Sequence, residues 1–309
     1  MQQPKQNHKT KEYWDAFYSD LPSRVPKQPQ SSAEDAGGSF EWIVANSPVL
    51  LDEILMMLPL PSRGDCTGQL NALEIGCGVS ELSRCLLQRL IQKRAETNEL
   101  LSYEFVATDM SEVCIDQCSQ RDANCISLLN ETNKDSLKYE TLDILTAKPS
   151  QRYHAILDKG TLDTFLFRSK RTKKGSELYP PLLLPLLNNI HAWLKPEGKY
   201  IIISPRGRIK AVRDYIGFNS VKRVSIDVNK LGGAVLMESN ADNVKKNEIY
   251  IYECIRNDEY KSDVDEPFRS TEKAIDDRDA CPKCRLSFKE FRGNVEVEHQ
   301  VDTACDDTW

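Results

Sequence analysis

Short apolar runs alternate with helical stretches along most of the chain, and this alternation constrains the fold more than any other feature. The runs that we predict to be strands are residues 72–75, 104–108, 139–142, 155–157 and 199–204. Alternation of this kind is typical of parallel strands joined by crossover helices. Two later runs, residues 221–228 and 248–255, lack a long helix between them, which favours an antiparallel hairpin at one edge. We therefore predict an α/β fold with a doubly wound, mostly parallel sheet of seven strands.

Apolar spacing also predicts helices beside this sheet. Residues 49, 50, 54, 55 and 58 are apolar and recur at helical spacing after Ser47, and Pro59 and Pro61 end that helix. A second helix, from about residue 181 to 194, precedes the last parallel strand. The polar stretches at residues 92–99 and 168–176 are interpreted as insertions. The second of these, with residue 167, forms a basic loop that would either dock an acidic protein face or remain solvated.

With 309 residues, the chain is long enough for one large domain and a short appendage. We expect an N-terminal aromatic helix and flexible loop over residues 1–46, the main domain over 47–255, an acidic linker over 256–280 and a small tail over 281–309. Residues 256–309 hold 9 basic and 15 acidic side chains, which account for the whole net charge of -6. Residues 1–255 are therefore neutral overall and lack the broad basic surface that nucleic-acid binding requires.

Neither a membrane span nor a secretory leader is expected from the sequence. No apolar run approaches the roughly 18 residues that a membrane helix needs, and the segment from Met1 to Lys11 is polar. Ten cysteines in such a chain are better explained as reduced thiols or metal ligands than as disulfides. We accordingly expect a cytoplasmic protein.

The segment LEIGCGVSEL, residues 73–82, places an apolar strand, the acid Glu74 and two glycines directly before a helix that begins near Glu81. Gly76 and Gly78 allow a close approach of the backbone to a ligand at the carboxyl end of the strand, where doubly wound sheets bind theirs. The third glycine of the dinucleotide fingerprint is missing. A ligand without phosphates fits this turn better than a dinucleotide does.

Acids at the ends of the next two predicted strands extend this pattern. Asp109 would accept hydrogen bonds from ribose hydroxyls. Asp143 would hold an adenine amino group, while Ile144 would pack on the ring. The alternative is that Gly76 and Gly78 form an ordinary tight turn and that Asp109 caps a helix.

Four segments of the chain carry a family pattern: YWDAFY at residues 13–18, FEW at 40–42, LEIGCGVSELS at 73–83 and LDKGTLDT at 157–164. Together they resemble the seven-strand protein-lysine methyltransferases of class I that modify translation elongation factor 1-alpha. DKGTLD is the most specific of these motifs. The resemblance covers residues 13–255 and implies that the cofactor is S-adenosylmethionine.

Further site residues follow from this resemblance alone. It implies that Gly76 lies on the methionine part of the cofactor and that Lys159 reaches the site from the fourth strand. The other implied residues form a lid (Trp14, Tyr18 and Phe40), flank the ribose (Asp109 and Met110) and hold the adenine (Asp143 and Ile144). Without the resemblance, the aromatic residues at positions 13–18 would more simply pack as a hydrophobic staple.

Methyl transfer is a displacement at a carbon bonded to a cationic sulfur, so the enzyme mainly aligns the nucleophile and excludes water. A lysine nucleophile must arrive uncharged. Our candidates for orienting its amine are Asp158, Asp163 and Trp42, although both acids would also suit helix caps. His154 and His191 lie in apolar contexts and are interpreted as packing residues.

Three functions remain open on the sequence. The first is a protein-lysine methyltransferase that acts on elongation factor 1-alpha or a similar protein. The second is a small-molecule methyltransferase, and the third is a cofactor-binding adaptor whose tail binds a partner.

The last 29 residues contain a candidate zinc site. The ligands would be Cys281, Cys284, His299 and Cys305, of which the first two lie in the segment CPKC. The pattern resembles small zinc fingers with three cysteines and one histidine, some of which bind ubiquitin, so ubiquitin or another protein would be the partner. The alternative is a disordered acidic tail with a chance pair of cysteines.

Overall fold

The structure is a computed structural model, and it describes residues 10–24, 41, 43–59, 68–97, 101–132, 134–148, 151–166, 179–231, 248–261 and 267–268. Several predicted features lie outside these residues. They are Phe40, Trp42, the basic loop at residues 167–176, and the tail with Cys281, Cys284, His299 and Cys305. Their assigned roles stay predictions.

Seven strands form one sheet in the order β3-β2-β1-β4-β5-β7-β6. The strands are β1 (Gln69–Ile75), β2 (Ser102–Asp109), β3 (Ser136–Thr141), β4 (Tyr153–Lys159), β5 (Leu194–Ser204), β6 (Phe218–Asp227) and β7 (Glu248–Arg256). Strands β1 to β5 are parallel, whereas β7 is antiparallel to both β5 and β6. The predicted fold class is confirmed, including the antiparallel hairpin at one edge.

Helices cover both faces of this sheet. They are α1 (Lys11–Arg24), α2 (Pro48–Met57), α3 (Leu82–Thr97), α4 (Glu112–Arg121), α5 (Ala123–Thr132), α6 (Thr161–Leu166), α7 (Leu183–Trp193) and α8 (Lys210–Asp214), with a 3-10 turn at Val228–Leu231. Within the described residues, no helix combines the length and apolar composition needed to cross a bilayer.

The core has two layers because side chains alternate between the faces of each strand. On β1, Leu70 and Ala72 pack with α2 and α3 on one face. Leu73 and Ile75 pack on the other face with α6 and α7. All four of these side chains are fully buried, which explains why the strand reads as a nearly continuous apolar run.

Residues 92–97, which we predicted to belong to a polar insertion, form the last turns of α3. Their polar composition suits a helix end that faces solvent. Arg94 in the last turn donates two hydrogen bonds to the buried carboxylate of Asp135, at 2.6 and 2.5 Å. Asp135 also accepts the backbone N–H of Tyr103 at 3.0 Å. The pair therefore ties the end of α3 to the start of β2, while the interpretation of residues 92–99 as an insertion stays a prediction.

The packed unit continues past residue 255, where we predicted a linker to begin. Tyr260 is buried, and its hydroxyl donates to Asn188 of α7 at 2.9 Å. Phe268 stacks on Tyr179 with ring centroids 4.3 Å apart. Aromatic packing of this kind anchors residues 257–261 and 267–268 to the main domain.

We predict that Asp135→Ala lowers the free energy of unfolding by about 3 kcal/mol, because it leaves the half-buried guanidinium of Arg94 and the buried N–H of Tyr103 without their carboxylate partner. Asp52→Ala is the matched control, since Asp52 also pairs with an arginine of α3, Arg89, but the pair is largely exposed. That variant should lose less than about 1 kcal/mol. Urea unfolding of both variants provides the comparison, and equal losses would contradict the assigned role of Asp135.

Candidate functional site

The short turn that follows β1 is hydrogen-bonded to the carboxyl end of β2, the neighbouring strand. The backbone N–H of Cys77 donates to the carbonyl of Thr108 at 2.8 Å. The N–H of Gly78 donates to Asp109 Oδ2 at 3.0 Å, and the N–H of Ser111 donates to Asp109 Oδ1 at 2.9 Å. The structure thus brings the predicted glycine turn and the predicted ribose-binding acid into direct contact.

Both glycines of the turn have a left-handed backbone, with φ of 56° at Gly76 and 55° at Gly78. This conformation favours glycine over residues with a Cβ. A Cβ on Gly76 would in addition lie only 2.1 Å from Thr161 Oγ1 at the start of α6. The space beside Gly76 is therefore filled by Thr161, so close packing within the protein requires this glycine whether or not a ligand approaches it.

Asp109 is buried, and burial raises the pKa of its carboxyl to about 6 while the N–H groups of Ser111 and Gly78 oppose this shift. Each of its two oxygens accepts one backbone amide. A carboxylate oxygen has two lone pairs, so each retains one further acceptor position. The position at the first turn of α4 also favours negative charge. This carboxylate suits the two vicinal hydroxyls of a ribose.

Glu74 lies on β1 beneath the same turn and is fully buried. Its Oε2 accepts both the N–H of Ser83, at 3.1 Å, and the Ser83 hydroxyl, at 2.6 Å. Its Oε1 has no hydrogen-bond partner among the described residues. Burial raises the pKa of Glu74 to about 7. A buried acid with a free acceptor oxygen suits a cationic group, such as the ammonium of an amino acid, or an ordered water.

Lys159, which we expected at the site from the family resemblance, is buried at the end of β4 and forms an ion pair. Its Nζ lies 2.5 Å from Glu41 Oε2 and 2.9 Å from Asn46 Oδ1. Glu41 Oε1 in turn accepts from Asn46 Nδ2 at 2.7 Å and from the Ser80 hydroxyl at 3.3 Å. The network joins the segment before α2 to the turn after β1 and to β4.

Glu41 is the site residue that sequence reasoning missed. It is the middle residue of FEW, and we assigned site roles only to the two aromatic residues of that segment. An acidic residue between two aromatic residues could have indicated a buried carboxylate. A buried carboxylate in turn requires a partner of opposite charge. That the partner is Lys159, 118 positions along the chain, follows only from the structure.

The adenine candidates lie just after β3. Asp143 accepts the N–H of Leu145 at 2.9 Å and the hydroxyl of Thr146 at 3.1 Å, so its carboxylate shapes a turn. Ile144 is buried, whereas Met110 after β2 is half-buried. Asp143 remains partly exposed and keeps acceptor positions for an amino group.

The predicted aromatic lid begins in α1, which packs against α4. Trp14 and Tyr18 stack with ring centroids 5.9 Å apart, and Tyr18 packs in a cluster with Val79 of the glycine turn. Asp15 accepts the hydroxyl of Ser111 at 2.6 Å. The helix therefore lies beside the end of β2, next to Asp109. That Trp14 and Tyr18 cover a ligand remains a prediction.

Asp158 is fully buried at the end of β4, where it organises the start of α6. It accepts the backbone N–H groups of Thr161, at 2.7 Å, and Leu162, at 3.0 Å. Its Oδ2 also accepts the hydroxyl of Tyr200 at 2.5 Å. Burial raises its pKa to about 7. Both oxygens therefore hold the DKGTLD segment in place.

Asp163, two residues into α6, has a different environment. Its Oδ1 accepts from Arg206 at 2.7 Å and from the Ser204 hydroxyl at 3.0 Å. Its Oδ2 has no hydrogen-bond partner among the described residues. Burial raises the pKa of this carboxyl. Of the two acids in the motif, only Asp163 retains a free oxygen at the carboxyl ends of β4 and β5.

His154 and His191 make hydrogen bonds to the backbone within the packed domain, in agreement with their interpretation as packing residues. His154 Nδ1 accepts the backbone N–H of Asn71 at 2.9 Å, and His191 Nε2 lies 2.7 Å from the carbonyl of Asn257. Desolvation by burial lowers the pKa of both imidazoles.

No protein-family model and no curated protein sequence matches this chain. Among solved structures, one similar protein is magnesium protoporphyrin IX methyltransferase from Synechocystis PCC 6803 with bound S-adenosylmethionine. It is 11% identical, with a TM-score of 0.47, over 83% of this chain and 100% of that one. Another is the N-methyltransferase NodS from Bradyrhizobium japonicum WM9, 14% identical with a TM-score of 0.40, over 67% of this chain and 93% of that one. Neither similarity assigns a substrate to this chain.

We predict that Gly76→Ala lowers the free energy of unfolding by about 2–4 kcal/mol, because it combines left-handed strain with a clash against Thr161. Thr161→Ala should cost about 1 kcal/mol through its lost hydroxyl bond to the Ile75 carbonyl. The double variant should lose less free energy of unfolding than the sum of the two single losses, by at least about 1 kcal/mol, because the smaller residue 161 relieves the clash. Strict additivity in urea unfolding would contradict the contact.

Proposed function

We propose that this protein is an S-adenosylmethionine-dependent methyltransferase. The observation that carries the proposal is the left-handed Gly76–Gly78 turn bonded to the buried carboxylate of Asp109 at the carboxyl ends of two parallel strands. Ligands of open α/β sheets bind in that crevice. The cofactor supplies a methyl group on a cationic sulfur, which the protein must present to a nucleophile.

The site residues suit the separate parts of this cofactor. Asp109 and Met110 would flank the ribose, and Asp143 and Ile144 would hold the adenine. Glu74 keeps a free, buried oxygen for an ammonium group. Gly76 and Gly78 would contact the methionine part of the cofactor. Lys159, paired with Glu41, would hold the residues at the entrance of the site in place. Trp14, Tyr18 and Phe40 would cover the site.

We propose further that the methyl acceptor is a lysine side chain of a protein, with Asp163 as the residue that orients its amine. The free Oδ2 of Asp163 supports this role, because an amine approaching a buried carboxylate gains a charge-assisted hydrogen bond. Asp158 acts by positioning: it holds α6, and thus Asp163, against β4 and β5. Trp42 would supply an aromatic face to the amine.

The substrate proposed on the resemblance of the DKGTLD segment is elongation factor 1-alpha or a similar protein. The tail at residues 281–309 is proposed to bind zinc through Cys281, Cys284, His299 and Cys305 and to contact ubiquitin or another protein. A cytoplasmic location would suit a cytosolic protein substrate. A small molecule is the alternative acceptor, and the labelling experiment below separates the two.

We predict that Asp109→Asn weakens S-adenosylmethionine binding tenfold or more in calorimetric titration, since an amide cannot accept from both backbone N–H groups and the ribose. Asp227→Asn, at the exposed end of β6, is the control and should bind like the wild type. Thermal unfolding of each variant establishes that it is folded. If Asp109→Asn does not fold, Asp143→Ala replaces it, with the same expected direction of change. Unchanged affinity in a folded site variant would reject the pocket.

Incubation with labelled S-adenosylmethionine and a cell extract should transfer label to a protein band that contains methyl-lysine. Asp163→Asn should lower the rate at least tenfold while cofactor affinity changes less than twofold, because Asp163 acts on the acceptor. Asp214→Asn is the matched control, since Asp214 is an equally buried acid paired with Arg213 on α8. Label found only on small molecules, or on arginine, would contradict the lysine proposal.

A further inference from the structure

Three cysteines converge behind the glycine turn, and the proposed methyl transfer uses none of them. Cys77 lies between the two glycines, while Cys114 and Cys118 lie one turn apart on α4. The exposed fractions of the three residues are 4%, 0% and 1%. Cys118 Sγ lies 3.3 Å from the carbonyl of Gly78, so this thiol lies against the same turn.

Three potential metal ligands in this part of the structure lie close enough together to share one ion. Cys77 Sγ, Cys114 Sγ and a carboxylate oxygen of Asp109 all lie within 4.8 Å of one another. A zinc ion with Zn–S bonds of about 2.3 Å places its sulfur ligands about 3.8 Å apart. Rotamer adjustment of about 1 Å would therefore bring these ligands to bonding distance. Cys118, one helical turn along from Cys114 and bonded to the Gly78 carbonyl, would supply a fourth ligand after a change of rotamer.

The surroundings of the cluster also suit a bound cation. The guanidinium of Arg121 donates to the carbonyls of Val79, at 2.6 Å, and Ser80, at 3.2 Å, and it pairs with Asp122 at 2.9 Å. Tyr18 and Leu21 of α1 pack in the same cluster and cover it. This apolar cover would shield the ligands of a bound cation from water.

We propose that Cys77, Cys114 and Cys118, together with Asp109, form a site for a thiophilic divalent cation such as Zn²⁺. Three sulfur ligands select soft or borderline ions over magnesium or calcium. Because Asp109 would serve both sites, the cation and S-adenosylmethionine exclude one another. This second statement rests on the proposed function, whereas the metal site itself does not.

Cadmium is the probe, since its thiolate complexes absorb in the ultraviolet through charge transfer. The full chain is used with Cys281→Ser, Cys284→Ser and Cys305→Ser in every arm, so that the tail contributes no thiolate. A phosphine reductant keeps all thiols reduced. The parent should bind one equivalent of Cd²⁺ with a thiolate band, and Cys114→Ser should bind at least tenfold more weakly. Cys125→Ser, which removes a half-buried cysteine on α5, is the control and should match the parent.

Absence of the band in the parent at equimolar Cd²⁺ overturns the proposal, even if a site variant fails to fold. Equal bands in parent, Cys114→Ser and Cys77→Ser also overturn it. S-adenosylhomocysteine should lower the apparent affinity of the protein for Cd²⁺ at least fivefold. By linkage, Cd²⁺ should lower the affinity of the protein for S-adenosylhomocysteine by the same factor. If S-adenosylhomocysteine does not bind the metal-free protein, the proposed function fails while the cadmium result stands. Simultaneous binding without mutual weakening overturns the shared use of Asp109.

Discussion

The buried carboxylate of Asp109 is the interaction on which the candidate site depends. Burial alone would favour its protonated form, but the N–H groups of Gly78 and Ser111 supply hydrogen bonds that offset the loss of water. The same two bonds fix the turn after β1 relative to the first turn of α4. A single side chain thus holds the ends of two strands and a helix together at the proposed cofactor site.

A second buried charge extends this arrangement to the N-terminal part of the chain. The Lys159–Glu41 pair lies in the interior, where Asn46 bonds to both groups and Ser80 donates to the carboxylate. Removing either partner would leave an uncompensated charge beside the glycine turn. Glu41 and Asn46 therefore belong to the site although they precede the sheet in sequence.

Much of the sheet could be predicted, since buried parallel strands read as apolar runs and their ends carry the glycines and Asp109. The long-range partners could not be predicted, because the sequence carries no signal for which distant groups meet. Thr161 filling the space beside Gly76 is one case, and the convergence of Cys77 with Cys114 is another. The end of α3 was equally hard to predict, because the polar composition of residues 92–97 suits an exposed helix end as well as a loop.

If the crevice at Gly76, Gly78 and Asp109 binds S-adenosylmethionine, a crystal structure of the full chain grown with S-adenosylhomocysteine should show the ligand there. Ribose hydroxyls should lie within hydrogen-bond distance of Asp109, with an amino group near Glu74 Oε1 and the adenine beside Ile144. A nucleoside bound elsewhere on the sheet, or an Asp109 carboxylate with no ligand contact in a crystal that contains the ligand, would rule out this crevice as the cofactor site.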